Sequence, residues 1–244
     1  MGIAVFSDIH GNLEAAQAIL RRIKRDKRIT QVYFLGDAIG FGPDGRACLQ
    51  LFRDAGVHCV LGNHEQRVVL HDDVKCAIHR VGKKHIAWVS NKLSNADIRF
   101  ISEMPTEIKI NYKGFNLLFA HCAMNESGII INDHAECTEA RLAKFYEDAR
   151  CDVVFLGHYH QRKLIIYESG KSFLCLGSSG CVKHDITHYT YFDVLDSLGE
   201  ELHFDVQRVN VKFNRKKFEE RFNNEDIPEK EKFANFYFGL SREQ

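Results

Sequence analysis

Five short apolar runs in this chain each end in a side chain that can bind a metal ion. Runs of this length between helical segments are typical of strands buried in a sheet, and the strand–helix alternation of residues 1–65 predicts a largely parallel one. Ligands of open α/β sheets bind outside the carboxyl ends of the strands, so we expect the five run ends to share one rim. The run ends are Ser7-Asp8-Ile9-His10, Gly36-Asp37, Gly62-Asn63-His64-Glu65, Ala120-His121 and Gly157-His158-Tyr159-His160.

The side chains expected at this rim suit first-row divalent metal ions. They comprise two carboxylates, one carboxamide and five imidazoles, more than one ion needs, so two ions are the natural inference. A single run of this kind also has a structural explanation, either an Asp that caps a helix or a His hydrogen-bonded at a sheet end. Five such runs in one chain favour a metal centre over these structural explanations.

The remaining pattern predicts further helices and strands, and one domain over residues 1–210 followed by a helical, charged tail over 211–244. A tight turn at Lys113-Gly114 joins two of the strands. The predicted helices are 12–25, 44–55, much of 64–103, 139–149 and 212–220, and the predicted strands after residue 65 are 106–112, 115–121, 152–156, 163–167, 172–176, 188–195 and 201–209.

The amino-acid composition indicates which kinds of binding partner and which cellular compartment to expect. Lys plus Arg and Asp plus Glu number 33 each, which argues against a nucleic-acid or acidic-membrane partner. The first six residues lack the features of a signal peptide, and the eight cysteines include no CxxC pair. We therefore expect a cytoplasmic protein with reduced thiols. The pattern Cys181-x2-His184-x3-His188 is a weaker zinc candidate, because it lacks a fourth ligand.

The ordered motifs Asp8-x-His10, Gly36-Asp37, Gly62-Asn63-His64-Glu65, His121 and Gly157-His158-x-His160 resemble the signature of the calcineurin-like metallophosphoesterases. The stretches 8–15 and 36–43 resemble the small bacterial and archaeal phosphodiesterase branch of that superfamily. The resemblance spans residue 3 to about 196. It implies an α/β fold in which a two-sheet β-sandwich is flanked by helices.

The resemblance also implies a specific role for each of these residues. One ion takes Asp8, His10, Asp37 and His160, and the other takes Asp37, Asn63, His121 and His158, with Asp37 bridging. Two ions about 3.5–4 Å apart would hold a hydroxide that attacks phosphorus. The ions are expected to be Mn²⁺, or else Fe, Zn, Ni or Mg. His64 is expected to be the general acid rather than a ligand.

The sequence predicts the substrate-binding residues less clearly than the metal ligands. The segment 38–41 lacks the Asp and Arg that the protein-phosphatase branch has after Gly-Asp. Arg67, one helical turn beyond His64, is a candidate contact for a substrate phosphate, with a solvated helix face as the competing interpretation. Ser178 and Lys183 lie where the family has a substrate-side segment. The loop 122–137, with Met124, Asn125, Asn132 and His134, is expected to cover the site.

We therefore expect hydrolysis of a small phosphoester, for example a nucleotide, by a phosphodiesterase or phosphatase. One alternative is a nuclease of the same superfamily, against which the neutral net charge counts. The basic residues of 208–217 are interpreted as a solvated helix face. A second alternative is a catalytically silent scaffold like the retromer subunit of the same fold, against which His64 counts. A homo-oligomer is left open, and no membrane partner is expected.

Overall fold

The computed structural model describes residues 1–70, 82–123, 139–166, 171–198 and 201–240. Within these ranges the chain forms two five-stranded sheets with helices on their outer faces, which confirms the predicted α/β class and two-sheet arrangement. The strands are β1 (Gly2–Phe6), β2 (Ile29–Phe34), β3 (His58–Cys59), β4 (Glu107–Tyr112), β5 (Phe115–Ala120), β6 (Val153–Leu156), β7 (Arg162–Ile166), β8 (Ser172–Leu176), β9 (Ile186–Leu198) and β10 (Glu201–Lys212).

Each sheet combines a parallel centre with antiparallel edges. The first sheet has the order β10-β9-β1-β2-β3, with β1, β2 and β3 parallel to one another. The second has the order β4-β5-β6-β8-β7, with β5, β6 and β8 parallel. The parallel strands of both sheets carry the run ends predicted to bind metal. The predicted hairpin between β4 and β5 is confirmed, and its turn uses left-handed backbone at Lys113 and Gly114.

The helices flank the sheets, and the described part of the chain places them close to the predicted positions. The predicted strand end at Tyr167 and the turns at Ser169-Gly170 and Leu198-Gly199 lie wholly or partly outside the described residues. The helical segments are α1 (Leu13–Arg25), α2 (Gly45–Asp54), α3 (Asn63–Val69), α4 (Lys83–Asn91), α5 (Asn95–Ser102), α6 (Glu139–Phe145), α7 (Arg215–Asn224), α8 (Lys230–Phe233) and a π-helix (Ala234–Phe238).

The core is divided by the side-chain alternation of the strands. In β1, Ile3 and Val5 point into the space between the two sheets, whereas Ala4 and Phe6 point towards the helices. All four side chains are completely buried. The strand is thus apolar on both faces, as expected for a parallel strand covered on each side.

The C-terminal segment packs more deeply than its charged composition indicates. The sequence predicts a helical, charged tail over 211–244, and from Arg215 to Phe238 the described segment is largely helical. Phe218, Phe222, Phe233 and Phe238 have no exposed area and belong to the same core cluster as Phe6. These phenylalanines therefore form the inner side of the C-terminal helices.

The basic residues of this segment are also more engaged than predicted. Arg215 donates hydrogen bonds to the carbonyl oxygens of Val182 at 3.0 Å and Phe238 at 2.7 Å. Arg221 donates through Nε to Asp44 at 2.6 Å. The solvated basic face predicted for 208–217 is wrong for Arg215, whose side chain is only 15% exposed. These contacts hold the C-terminal helices to the body of the protein. Among the described residues, no helix has the length and apolar character needed to span a membrane.

Candidate metal centre

The predicted metal ligands meet where the parallel strands end. Asp8 follows β1, Asp37 follows β2, and Asn63 is the first residue of α3, all on the side of the first sheet. His121 follows β5 and His158 follows β6, in the second sheet. Each of these five side chains is at most 4% exposed. The structure therefore brings polar groups from both sheets into one buried rim.

The backbone at this rim is strained. A positive φ costs a residue other than glycine about 1–2 kcal/mol, and such strain persists only where the surroundings impose it. At this rim the left-handed backbone conformation directs the polar side chains towards one point at the ends of the strands. The rim residues with left-handed backbone, at φ between 45° and 65°, are Asp8, His10, Asp37, His158 and His160.

The first ligand group consists of Asp8, His10, Asp37 and His160. His160 Nε2 lies 3.4 Å from Asp8 Oδ1, and His10 Nε2 lies 3.7 Å from Asp37 Oδ2. The two Nε2 atoms of His10 and His160 are only 3.0 Å apart. Imidazole nitrogens that converge on one point beside two carboxylates are the donor set of a divalent cation, so these residues fit the predicted ion.

The second ligand group consists of Asp37, Asn63, His121 and His158. Asn63 Oδ1 lies 2.9 Å from both His121 Nε2 and His158 Nδ1. Asp37 Oδ2 lies 3.3 Å from His121 Nε2, so this oxygen borders both ligand groups. His121 Nδ1 contacts the carbonyl oxygen of Leu35 at 2.5 Å, which fixes the ring with Nε2 facing the rim.

The charges at the rim also suit cations. Burial alone would raise the pKa of Asp8, but the neighbouring His160 and His121 outweigh it and lower the pKa to about 2. The pKa of Asp37 likewise lies well below its usual range, because His121 and His64 outweigh its burial. Burial lowers the pKa of His10 to about 4. These are the protonation states in which carboxylate and imidazole bind metal ions. Burial alone would lower the pKa of His121, but Asp37 and Asp8 outweigh it and raise the pKa to about 9, so a metal ion would have to displace a proton from this ring.

Glu65 has a role that the sequence does not reveal. Its side chain is completely buried, and its carboxylate accepts backbone N–H groups from Asp37 at 2.8 Å, Ala38 at 2.8 Å and Ile39 at 3.0 Å. Glu65 thereby holds the loop that carries Asp37. The only sequence signal is its place in Gly62-Asn63-His64-Glu65, which assigns it no partner.

His64 lies beside the first ligand group and is oriented by packing. Its ring lies 4.9 Å from both His10 and Phe41, nearly perpendicular to each. A Cβ on Gly40 would come within 2.8 Å of His64 Nδ1, so only glycine lets the backbone pass here. No described side chain hydrogen-bonds to this ring. The ring is therefore held by contacts with Gly40 and Phe41, in the segment 38–41 that lacks both an Asp and an Arg.

The three predicted substrate contacts lie in different surroundings. Arg67 is on α3, and its Nη1 is buried with no hydrogen-bond partner among the described residues. Ser178 donates its hydroxyl to the carbonyl oxygen of Asp8 at 2.7 Å and accepts from the N–H of Cys181 at 2.8 Å. Lys183 is exposed. Residues 124–137 of the predicted covering loop, including Met124, Asn125, Asn132 and His134, lie outside the described residues.

The alternative zinc pattern is not assembled in the described part of the chain. His188 Nε2 contacts the carbonyl oxygen of Leu176 at 3.2 Å, and its Nδ1 contacts Arg208 at 3.1 Å. Cys181 lies instead beside His10 and His160. None of the six cysteines within the described ranges forms a disulfide bond.

Comparison with known proteins identifies the family of the chain. The family model for the calcineurin-like phosphoesterases matches residues 1–162. An uncharacterized protein of Methanocaldococcus jannaschii is 28% identical over 243 residues, which cover 93% of this chain and 94% of that protein. A symmetrical bis(5'-nucleosyl)-tetraphosphatase of Thioalkalivibrio sulfidiphilus is 28% identical over 86 residues, 34% of this chain and 31% of that relative.

A solved structure extends the likeness to the whole fold. The crystal structure of a metallophosphoesterase from Sphaerobacter thermophilus has a TM-score of 0.66 at 17% identity, over 96% of this chain and 97% of that chain. At that identity the likeness shows a shared fold. The family match covers more than half of the 244 residues. The chain therefore belongs to the calcineurin-like phosphoesterases.

Proposed function

We propose that this protein hydrolyses phosphoester bonds with two divalent metal ions held by the first and second ligand groups. The position of Asp37 is the observation that carries the proposal. Its Oδ2 lies 3.7 Å from His10 Nε2 in one group and 3.3 Å from His121 Nε2 in the other. A carboxylate oxygen between two sets of imidazole nitrogens is what a bridging ligand requires.

The chain's own residues hold and orient the reacting parts. Two bound ions supply charge neutralisation at the phosphoryl group and lower the pKa of the attacking water. Asp8, His10 and His160 fix one side of the centre, and Asn63, His121 and His158 fix the other. Because each group draws on both sheets, the packing of the two sheets would set the distance between the two ions.

His64 is proposed to act on the leaving oxygen. Burial lowers the pKa of His64 well below its usual range, so the ring in the free protein is neutral near pH 7. A phosphate anion bound beside the ring favours the imidazolium, which can give its proton to the departing oxygen. Packing against Phe41 and His10 keeps the ring at the edge of the first ligand group.

Arg67 is proposed as a contact for the substrate phosphate. Its buried Nη1 has no hydrogen-bond partner in the described part of the chain, and its charge acts on His64 to lower the pKa of that ring further. A buried guanidinium nitrogen without a partner is costly unless a ligand supplies an acceptor. Lys183 is retained as a weaker candidate, whereas the hydroxyl of Ser178 is occupied by contacts within the chain.

The substrate class proposed is a small phosphoester such as a nucleotide. One of the similar proteins is a symmetrical bis(5'-nucleosyl)-tetraphosphatase, whose match covers about a third of this chain. A nuclease is less well supported, because Arg215 and Arg221 are engaged in contacts within the protein and the net charge is zero. Oxygen and nitrogen donors suit Mn²⁺, Fe²⁺, Zn²⁺ or Ni²⁺, with Mn²⁺ as the first ion to test.

The proposal is tested by removing metal with a chelator, adding back single divalent ions, and measuring hydrolysis of bis-p-nitrophenyl phosphate and of p-nitrophenyl phosphate. We expect no turnover without metal and restored turnover with at least one ion. His64→Ala should keep two ions per chain while kcat falls by about 10²–10⁴-fold.

The matched control for this variant is His184→Ala, because His184 is an exposed histidine that belongs to none of the potential metal-binding groups of the described residues. Its kcat should equal that of the wild type. Failure of every ion to restore turnover would refute the enzymatic function. Loss of metal from His64→Ala would instead make His64 a ligand.

A further inference from the structure

Cys181 lies at the first ligand group, although it belongs to none of the motifs that predict the metal centre. Its Sγ and one ring nitrogen each of His10 and His160 are within 4.8 Å of one another. The thiol is partly buried on the loop between β8 and β9. Three metal-binding side chains from three separate segments thus converge on one point.

The loop that carries Cys181 is fastened to the loop that carries Asp8. The N–H of Ser179 donates to the carbonyl oxygen of Ser7 at 2.9 Å, and the N–H of Gly180 donates to that of Asp8 at 3.0 Å. Asn12 Nδ2 donates to the carbonyl oxygen of Gly180 at 2.9 Å. The position of the thiol is therefore set by the same backbone that positions the first metal ligand.

Gly180 makes this close approach possible. A Cβ at this position would lie 1.9 Å from the carbonyl oxygen of Ile9, a distance that no side chain tolerates. The two loops therefore pack directly against each other through backbone atoms, and residue 181 follows at once. The backbone immediately before Cys181 is therefore fixed against the loop that carries Asp8 and His10.

The separations suit shared coordination of one ion. A nitrogen and a sulfur bound to the same Zn²⁺ lie about 2.0–2.1 and 2.3 Å from it, so they can be at most about 4.4 Å apart. Donor atoms that already lie within 4.8 Å of one another need only small side-chain movements to close around an ion.

We propose that Cys181 is a thiolate ligand of the ion held by Asp8, His10 and His160, an inference that rests on the proposed metal-dependent function. Thiolate ligands favour Zn²⁺, Fe²⁺ and Co²⁺ over Mn²⁺ and Mg²⁺. The first ligand group then differs from the second, which has only oxygen and nitrogen donors. The two sites of this protein consequently select different ions.

The test loads the metal-free full-length protein with Co²⁺ and records its absorption spectrum together with its cobalt content. A cobalt–thiolate bond gives an intense charge-transfer band in the near ultraviolet, which oxygen and nitrogen ligands do not give. We expect the band in the wild type and its loss in Cys181→Ser and Cys181→Ala. Cys175→Ala is the matched control, because Cys175 lies on the adjoining strand in a core cluster of the second sheet.

A second measurement addresses selectivity. Competition between Zn²⁺ and Mn²⁺ should show that Cys181→Ser loses Zn²⁺ affinity at one site by about 10–100-fold or more, the loss typical even for removal of a residue behind a ligand. Mn²⁺ affinity should change much less. Equal losses for both ions would contradict a thiolate ligand.

The outcomes separate this inference from the proposed function. Two cobalt ions per chain without the band would overturn the role of Cys181 and leave the two-metal centre standing. A band that persists in Cys181→Ser would assign the thiolate to another cysteine and also overturn the inference. Failure to bind cobalt, zinc or manganese at all would overturn both.

Discussion

Glu65 is a buried acidic residue whose carboxylate accepts three backbone N–H groups, those of Asp37, Ala38 and Ile39. Because Asp37 borders both ligand groups, its position depends on this support. Replacing one carboxylate oxygen with an NH₂ group would set a donor against a backbone donor and leave both unsatisfied. The effect should reach the metal through Asp37.

We predict that Glu65→Gln lowers metal affinity by about 10–100-fold, the range found for residues that orient metal ligands. Metal titration followed by elemental analysis measures this directly. Glu103→Gln is the control, because Glu103 is exposed at the end of α5 and should bind metal as the wild type does. Unchanged affinity in Glu65→Gln would show that the Asp37 loop does not need this carboxylate.

The sequence predicts the placement of individual residues well where they follow a strand in an ordered motif, whereas their role as metal ligands stays a prediction. Asp8, Asp37, His121 and His158 all lie at strand ends in the buried rim. It does not predict the partners of residues far apart in the chain. The approach of Cys181 to His10 and His160 depends on how two loops pack, and no local pattern records that packing.

Among the secondary-structure elements, the C-terminal helices connect the core with the metal centre. Tyr237, in the π-helix, stacks on Phe41 with ring centroids 4.0 Å apart, and Phe41 stacks on His10 at 4.4 Å. Phe222, in α7, is completely buried and packs against Phe238 at 5.3 Å. The segment after residue 212 is therefore part of the wall behind the site.

We predict that Phe222→Ala lowers the free energy of unfolding by about 3–5 kcal/mol, the cost of deleting a buried aromatic side chain. Urea unfolding followed by circular dichroism measures the loss. Phe236→Ala is the control: Phe236 is 60% exposed, and its removal should change stability by no more than about 0.5 kcal/mol. Equal small losses for both variants would mean that this segment is not packed as described.

Elements differ in how well sequence patterns predict them. The apolar runs of β1, β5 and β6 stand out because these strands are buried on both faces along almost their whole length, whereas β2 is buried only at its carboxyl end. The burial of α7 and the π-helix is not predicted, because charged residues surround their phenylalanines. Only the spacing of Phe218 and Phe222, one helical turn apart, indicates a buried face.

At the scale of the whole molecule, the site forms only when the two sheets pack together. Asp8, Asp37 and Asn63 come from the first sheet, whereas His121 and His158 come from the second. The N–H of His158 donates to both carboxylate oxygens of Asp8, at 3.2 and 3.1 Å, and so bridges the sheets. The order of motifs predicts the residues, but sheet membership depends on long-range pairing that the sequence alone does not specify.

The protonation of His188 is expected to make the stability of the whole fold depend on pH. It is 4% exposed on β9, where its Nδ1 accepts a hydrogen bond from Arg208 and its Nε2 donates to the carbonyl oxygen of Leu176. This arrangement requires a neutral ring. Burial and the neighbouring Arg208 lower the pKa of His188 from 6.5 to about 4.

The unfolded chain therefore binds more protons than the folded protein between pH 6.5 and 4, so the contribution of His188 is present above pH 6.5 and is lost as the pH falls towards 4. The contribution of His188 to the free energy of unfolding is at most about 3 kcal/mol. We predict that His188→Gln, which keeps a neutral donor and acceptor, has a shallower decline in unfolding free energy between pH 7 and 4.5 than the wild type.

Urea unfolding in the presence of a chelator measures this decline without interference from metal binding. His58→Gln is the matched control, because His58 is exposed on β3, which β1 and β2 separate from β9, and the variant should keep the decline of the wild type. If His188→Gln and the wild type lost stability equally on acidification, His188 would not remain neutral in the folded protein. A shallower decline in His188→Gln alone would locate part of the acid sensitivity of the fold in the pairing between β9, β10 and the end of β8.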